Sequence, residues 1–287
     1  MTAGTAVVTG GASGIGAATV GRFLRDGWTV VAADLNDASG ERLLAEHDGA
    51  AKDGRLLFSR CDVAEEEDIQ AAIAMAVTAG GRLDCLVNNA GIGGAFGPVT
   101  EISAEDWDYT FAVLTRAVFL GIKHAARVMR EQPDGGSIVN VASLAALTGD
   151  AGPQTYSAAK ASVLHMSRVF ATELGPDRIR VNCVCPGVIA TPLNPAASEE
   201  FEGSALAAIQ PLPYVGRPEH LAGAIAFLAG PDSTFVTGQY LAVDGGMEGA
   251  GPRLGSVLGT DPRSVGVVGV NRGSTGRKAT VHRKVAQ

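Results

Sequence analysis

The stretch Thr5-Ala6-Val7-Val8-Thr9-Gly10-Gly11-Ala12-Ser13-Gly14-Ile15-Gly16 reads as a short apolar strand, a glycine turn and the opening of a helix. Glycines in such a turn permit a tight reversal and close backbone approach, and the free N–H groups at the helix start attract a pyrophosphate. The spacing is G-x-x-x-G-x-G, which departs from the general G-x-G-x-x-G fingerprint, so the reading rests on the position between strand and helix. Gly10, Ser13, Gly14, Ile15 and Gly16 are the expected phosphate contacts. The next apolar run ends at Asp34, eighteen residues beyond Gly16, where a carboxylate accepts hydrogen bonds from a ribose diol. A carboxylate there repels a 2′-phosphate, and neither Leu35, Asn36 nor the turn supplies a cation. NAD is therefore expected over NADP, with Asp34 and Leu35 beside the adenosine ribose.

Outward from this turn, apolar runs alternate with helical patterns along most of the chain. Strands are expected over 5–9, 29–34, 56–59, 83–88, 137–143, 180–185 and 239–244. Their largely continuous apolar character suits strands buried on both faces. Helices are expected over 14–26, 65–79, 104–131, 154–175 and 219–228, with start signals at Ser103 and Pro218. The alternation predicts a doubly wound, parallel, seven-stranded sheet in three αβα layers, forming one domain over residues 1–248. A Pro-, Ala- and Glu-rich stretch near 190–215 is expected to form a flap with a short helix near 199–209.

Composition agrees with a well-buried globular body: 287 residues, 46% apolar and 18% charged. No apolar run approaches the length of a membrane span, and no basic patch precedes an apolar signal core, so a cytoplasmic address is expected. Cys61, Cys85, Cys183 and Cys185 show no C-x-x-C or metal-type spacing, which favours structural thiols and no metal. The net charge of −7 is uneven: residues 249–287 hold seven Lys or Arg against one acid, Asp261, leaving −13 on the remainder. An acidic body argues against nucleic-acid binding by the main fold.

Tyr156 and Lys160 stand four residues apart in Tyr156-Ser157-Ala158-Ala159-Lys160, and Ser143 lies thirteen residues upstream of the tyrosine. On a helix that spacing puts phenol and ammonium on one face, a turn apart. An adjacent ammonium favours the phenolate, yet lowering a tyrosine by two to three pKa units takes roughly 3–4 kcal/mol. That requires a second positive charge, which an oxidised nicotinamide would supply.

With these residues in place the chain resembles the short-chain dehydrogenase/reductase family from about Ala6 to Met247. The glycine turn is of that family's type, and Asp62 with Val63 matches its adenine-contacting pair. Asn88-Asn89-Ala90-Gly91 matches its NNAG signature, and Pro186-Gly187-Val188-Ile189-Ala190-Thr191 its PG-x-x-x-T loop. Gly216-Arg217-Pro218-Glu219 and Val243-Asp244-Gly245-Gly246 look like its C-terminal landmarks. The resemblance implies a Rossmann-type sheet and reversible hydride transfer between NAD and a secondary alcohol or ketone. It implies Tyr156 as general acid/base, Lys160 as its tuner and ribose contact, and Ser143 as the group that orients the substrate oxygen. It further implies cofactor contacts from Asn89, Ala90, Gly91, Pro186, Gly187, Ile189 and Thr191, and a homodimer or homotetramer. One position departs from the pattern. Leu114 stands where the family carries a catalytic asparagine that holds a water in the lysine's proton relay, so a rerouted relay is expected, using Thr110 or Thr115.

The side chains expected to flank the reacting carbon are apolar: Ile92, Phe96, Leu144, Ala145, Leu147, Val188 and Leu193. No cation stands among them to clamp a carboxylate or phosphate, which favours a hydrophobic or alicyclic alcohol. Substrate contacts are assigned to Ser143, Ala145, Tyr156, Val188 and Leu193. A 3-oxoacyl thioester reductase, a non-catalytic NAD-binding regulator and a scaffold acting through the tail are the alternatives. The basic, glycine-rich extension 249–287 carries one β-like run, 265–270, and is expected to be solvated or draped on a partner.

Overall fold

The computed structural model describes residues 4–194, 209–251, 267–270 and 280–283. Seven parallel strands form one sheet: β1 (Thr5–Thr9), β2 (Thr29–Asp34), β3 (Leu56–Arg60), β4 (Cys85–Asn88), β5 (Gly136–Val141), β6 (Ile179–Pro186) and β7 (Tyr240–Val243). Their spatial order is β3-β2-β1-β4-β5-β6-β7. The order reverses beside β1, and a doubly wound sheet opens a crevice at the carboxyl ends of its strands there.

Alternate residues of each strand feed two separate apolar layers. Val7, Val31, Leu86 and Ile138 pack on one face, against Ile69 and Ile73 of α4 (Glu66–Gly80) and Val163 and Leu164 of α7 (Gln154–Leu174). Ala6, Val8, Val30 and Val139 pack on the other, against Val20 and Phe23 of α1 (Gly14–Arg25) and Leu221 and Ile225 of α8 (Pro218–Ala229). Burial on both faces explains why the strands read as continuous apolar runs. Two short helices that the sequence pattern did not signal, α2 (Asp37–Glu46) and α3 (Asp48–Lys52), connect β2 to β3.

The long helix expected over 104–131 is three pieces. α5 (Ala104–Phe111) passes through a π-helical turn, Ala112–Arg116, into α6 (Ala117–Met129). π-turns inside helices concentrate at functional sites. Behind the crevice a buried polar chain ties strands to helix: Asn88 Nδ2 donates to Asn140 Oδ1 at 2.8 Å, and Asn140 Nδ2 donates to Ser167 Oγ at 2.9 Å. Each buried amide is thereby satisfied, and the chain fixes α7 against β4 and β5.

The expected helix near 199–209 and most of the flap lie outside the described residues. In the extension, β8 (Val267–Val270) pairs antiparallel with β9 (Thr280–Arg283) as a separate two-stranded sheet. Among the described residues no helix is long and apolar enough to cross a membrane, and no cluster of three His, Cys, Asp or Glu is arranged to hold a metal.

Candidate active site

At the carboxyl edge of the sheet a cleft of about 610 Å³ runs from the end of β2 to the loop after β6. Its floor is the glycine turn. Gly10 and Gly14 have φ of +61° and +50°, a left-handed region where other residues are strained. A Cβ on Gly16 would overlap the Gly10 carbonyl, so Gly16 lets the turn close on itself and stays out of the cleft. Asn89 braces the turn from β4: its Nδ2 donates to the carbonyls of Thr9 at 2.9 Å and Gly10 at 3.2 Å. Thr9 Oγ1 in return accepts from the N–H groups of Asn89 and Ala90 at 3.0 and 3.1 Å. Ser13 caps α1 with extended backbone and no side-chain hydrogen bond, so no side chain competes for the first helical N–H groups.

Asp34 lines the cleft at the end of β2. Its Oδ2 accepts from Ala12 N–H and its Oδ1 from Asn36 N–H, both at 3.0 Å. The carboxylate thus holds the glycine turn in shape and keeps lone pairs for a further donor. Leu35, Asp62, Val63, Ala90 and Gly91 also line the cleft. So does Cys61, whose thiol is pushed up to about 12 by burial and by the acids Asp68, Asp62 and Asp34 around it. That thiol stays protonated and unreactive.

Ser143, Tyr156 and Lys160 meet at the other end. Ser143 follows β5 and caps a short 3₁₀ turn, its Oγ accepting from Ala145 N–H at 3.1 Å. That bond leaves the hydroxyl proton free to donate. Tyr156 and Lys160 lie on the first turns of α7, with Lys160 Nζ 5.7 Å from the Tyr156 ring centroid. Lys160 is buried, donates to the Val141 carbonyl at 2.8 Å, and is pulled down to about 8 by desolvation. Burial pushes the Tyr156 phenol up, against a smaller lowering by its hydrogen bond with Ser143. Desolvation is thus the largest influence on the phenol, in keeping with the expectation that lowering it takes a second positive charge besides Lys160.

The loop after β6 closes this end. Pro186, Gly187, Ile189, Thr191 and Leu193 line the cleft, and a Cβ on Gly14 would sit 3.5 Å from Thr191. Ala145 and Val188, assigned as substrate contacts, do not line it: Ala145 is buried beneath Gly152, and Val188 borders a second cavity behind the loop. Phe96 is 81% exposed and outside the cleft. Sequence reasoning missed Tyr109, Val113, Ala151, Gly152, Pro153 and Asn194, which do line it. The signal for Tyr109 and Val113 was their four-residue spacing on the helix that carries Leu114.

Leu114 is fully buried in the π-turn. A Cβ on Gly91 would lie 3.3 Å from Leu114 Cδ2 and 3.7 Å from Lys160 Nζ, so leucine methyl and ammonium border one small space. The two hydroxyls considered for a relay are committed elsewhere. Thr110 donates to the Asp106 carbonyl at 2.7 Å and accepts from Ala95 N–H at 2.9 Å. Thr115 donates to the Ala159 carbonyl at 3.3 Å.

The sequence profile of a family described as Enoyl-(Acyl carrier protein) reductase matches residues 10–248. A 2,5-dichloro-2,5-cyclohexadiene-1,4-diol dehydrogenase of Sphingobium indicum is 38% identical over 244 residues, 84% of this chain and 96% of the relative. A cis-4-hydroxycyclohexanecarboxylate dehydrogenase of Sinomonas cyclohexanicum is 40% identical over 241 residues, 84% of this chain and 95% of the relative. The crystal structure of levodione reductase superposes with a TM-score of 0.78 at 32% identity, covering 86% of this chain and 98% of that one. The extension after residue 248 lies beyond the family match.

Proposed function

The chain belongs to the short-chain dehydrogenase/reductase family, and from that premise we propose that it is an NAD-dependent dehydrogenase/ketone reductase acting on a compact alicyclic secondary alcohol. One observation carries the reading: Ser143, Tyr156 and Lys160 converge on the same cleft that the glycine turn and Asp34 line.

The residues present fit a nicotinamide dinucleotide. The space above Gly10, Gly14 and the uncapped start of α1 suits a pyrophosphate, and Asp34 offers acceptor lone pairs to the adenosine ribose while opposing a 2′-phosphate. Ile189 and Thr191 would hold the carboxamide. Bound NAD would supply the hydride acceptor and, when oxidised, the positive charge that the buried phenol lacks.

The chain's own residues then divide the proton work. Ser143 turns its hydroxyl proton from Tyr156 to the substrate oxygen and fixes that oxygen beside Tyr156. Tyr156 takes the alcohol proton in oxidation and returns it in reduction. Lys160 spends one N–H on Val141 and keeps two for the ribose and the phenolate side. Pro153, Ile92 and Leu193 supply apolar walls, and among the described residues no cation besides Lys160 lines the cleft, which supports an uncharged ring over an acid or phosphate. The relatives named for cyclohexane-type alcohols support the same choice.

A homodimer or homotetramer is part of the proposal. Its support is an apolar strip in which Phe119 and Val169 are exposed and Phe119 packs on Phe170 at 6.3 Å. Sedimentation as a monomer would remove that part. The activity itself is tested by a panel of cyclic secondary alcohols with NAD and with NADP, followed by absorbance of the reduced cofactor. Turnover with NAD on cyclohexanol-type substrates is expected; turnover only with NADP, or on none, would overturn it.

A further inference from the structure

One wall of the cleft is the loop 61–65 between β3 and α4, where Cys61, Asp62 and Val63 line the cavity. Its short-range bonds are turn-like: Asp62 N–H donates to Asp68 Oδ2 at 2.8 Å, and Ala64 N–H to Asp62 Oδ1 at 2.9 Å. Two long-range ties fasten it to the far side. Arg116 Nη2 donates to the Ala64 carbonyl at 2.7 Å, across 52 residues of chain. At the first residue of α4, Glu66 Oε1 accepts from Lys123 Nζ at 2.6 Å and lies 2.7 Å from His124 Nε2. Gln70 Nε2, 3.3 Å from His124 Nδ1, fixes that ring from behind.

All these ties start on one stiff unit, the π-turn running into α6. The same turn presents Val113 to the cleft and packs Leu114 beside Gly91 and Lys160. The bond from Arg116 to Ala64 thus links the turn that carries Val113 directly to the loop that carries Asp62 and Val63.

We propose that Arg116 is a positioning residue for the dinucleotide, holding the Asp62–Val63 wall at the separation from Val113 that the adenosine half needs. The proposal rests on the NAD reading above. Without the guanidinium the Ala64 carbonyl returns to water, and the loop must be ordered again each time a ligand binds. That cost falls on affinity and leaves the reacting end untouched. Because Arg116 is exposed, its removal strands no buried donor, and the Glu66 tie still anchors α4.

The test is calorimetric binding of ADP-ribose, which has no reacting ring, to wild type, Arg116→Met and Arg116→Lys. Arg116→Met is expected to weaken ADP-ribose about three- to tenfold and to raise the KM for NAD by the same factor. kcat at saturating NAD and the thermal midpoint should stay at wild-type values, and Arg116→Lys should recover much of the affinity. Unchanged ADP-ribose affinity in Arg116→Met would overturn the proposal, as would a joint loss of kcat and thermal midpoint that lysine does not rescue. If Arg116→Met does not fold, Lys123→Met, which loosens the second tie, is expected to weaken ADP-ribose in the same sense, and unchanged affinity there counts against it. A wild type that binds no ADP-ribose would remove the NAD reading itself, an outcome distinct from equal binding by wild type and variant.

Discussion

Lys160 donates to the carbonyl oxygen of Val141 at 2.8 Å, which fastens the amine of α7 to the end of β5. The bond fixes where the ammonium sits relative to Tyr156, and it leaves two N–H donors for the cleft. Lys160 has neither an acid nor a relay hydroxyl as a hydrogen-bond partner among the described residues. The ammonium thus has no anionic hydrogen-bond partner among the described residues, and a phenolate at Tyr156 would be the nearest one to balance it.

The first consequence concerns the phenol. Burial raises the Tyr156 pKa above the ordinary 10 in the free chain. A spectrophotometric phenolate titration of wild type minus Tyr156→Phe should show the missing tyrosine ionising above the ordinary value without cofactor. Addition of NAD should bring that ionisation down by at least two units, about 3 kcal/mol. A Tyr156 already ionised below 10 in the free protein would contradict the role given to the cofactor's charge.

Lys160 makes a second prediction, on stability. Its folded value is about 8, against 10.5 for an ordinary lysine. Between those values the unfolded chain binds the extra proton, so folding stability gains as pH rises from 8 to 10.5. Below 8 both states are charged and the burial penalty stands in full, of order 3 kcal/mol. The denaturant-measured stability of wild type relative to Lys160→Met should be flat below pH 8 and climb above it. A falling difference over the same window would show the ammonium to be stabilised by a partner.

Asp34 sets the third. It holds Ala12 N–H and lines the cleft at the end of β2, where the proposed adenosine ribose would lie. Asp34→Asn keeps an acceptor for the turn but removes the charge that opposes a 2′-phosphate. kcat/KM with NAD should fall about tenfold, and use of NADP should rise relative to NAD. An unaltered NAD-to-NADP ratio would place the discriminating group elsewhere.

Much of this was legible in the sequence because backbone demands leave residue marks. The turn at Gly10–Gly16 needs left-handed φ and close approach, so its glycines announce it, and buried strands show as apolar runs. The shared helix face of Tyr156 and Lys160 follows from their spacing, while their roles came only from the resemblance carried by the surrounding motifs. Long-range contacts leave no such mark. Nothing in the sequence pairs Arg116 with Ala64 or sets Ala145 beneath Gly152, because those contacts depend on how α6 and α7 pack. The π-turn at Ala112–Arg116 was equally hidden, since Val113, Leu114, Ala117, Val118 and Leu120 are apolar within it and just after it and mask a one-residue shift of the buried face. Thr110 and Thr115 were expected near a relay, yet each is turned to a backbone carbonyl of its surroundings.

The most direct test of the account is turnover of a cyclic secondary alcohol by Tyr156→Phe, with ADP-ribose binding measured on the same sample. Loss of the phenolic oxygen should lower kcat about 10²–10⁴-fold while ADP-ribose affinity stays within about twofold of wild type. Turnover within tenfold of wild type would contradict Tyr156 as the group that moves the proton.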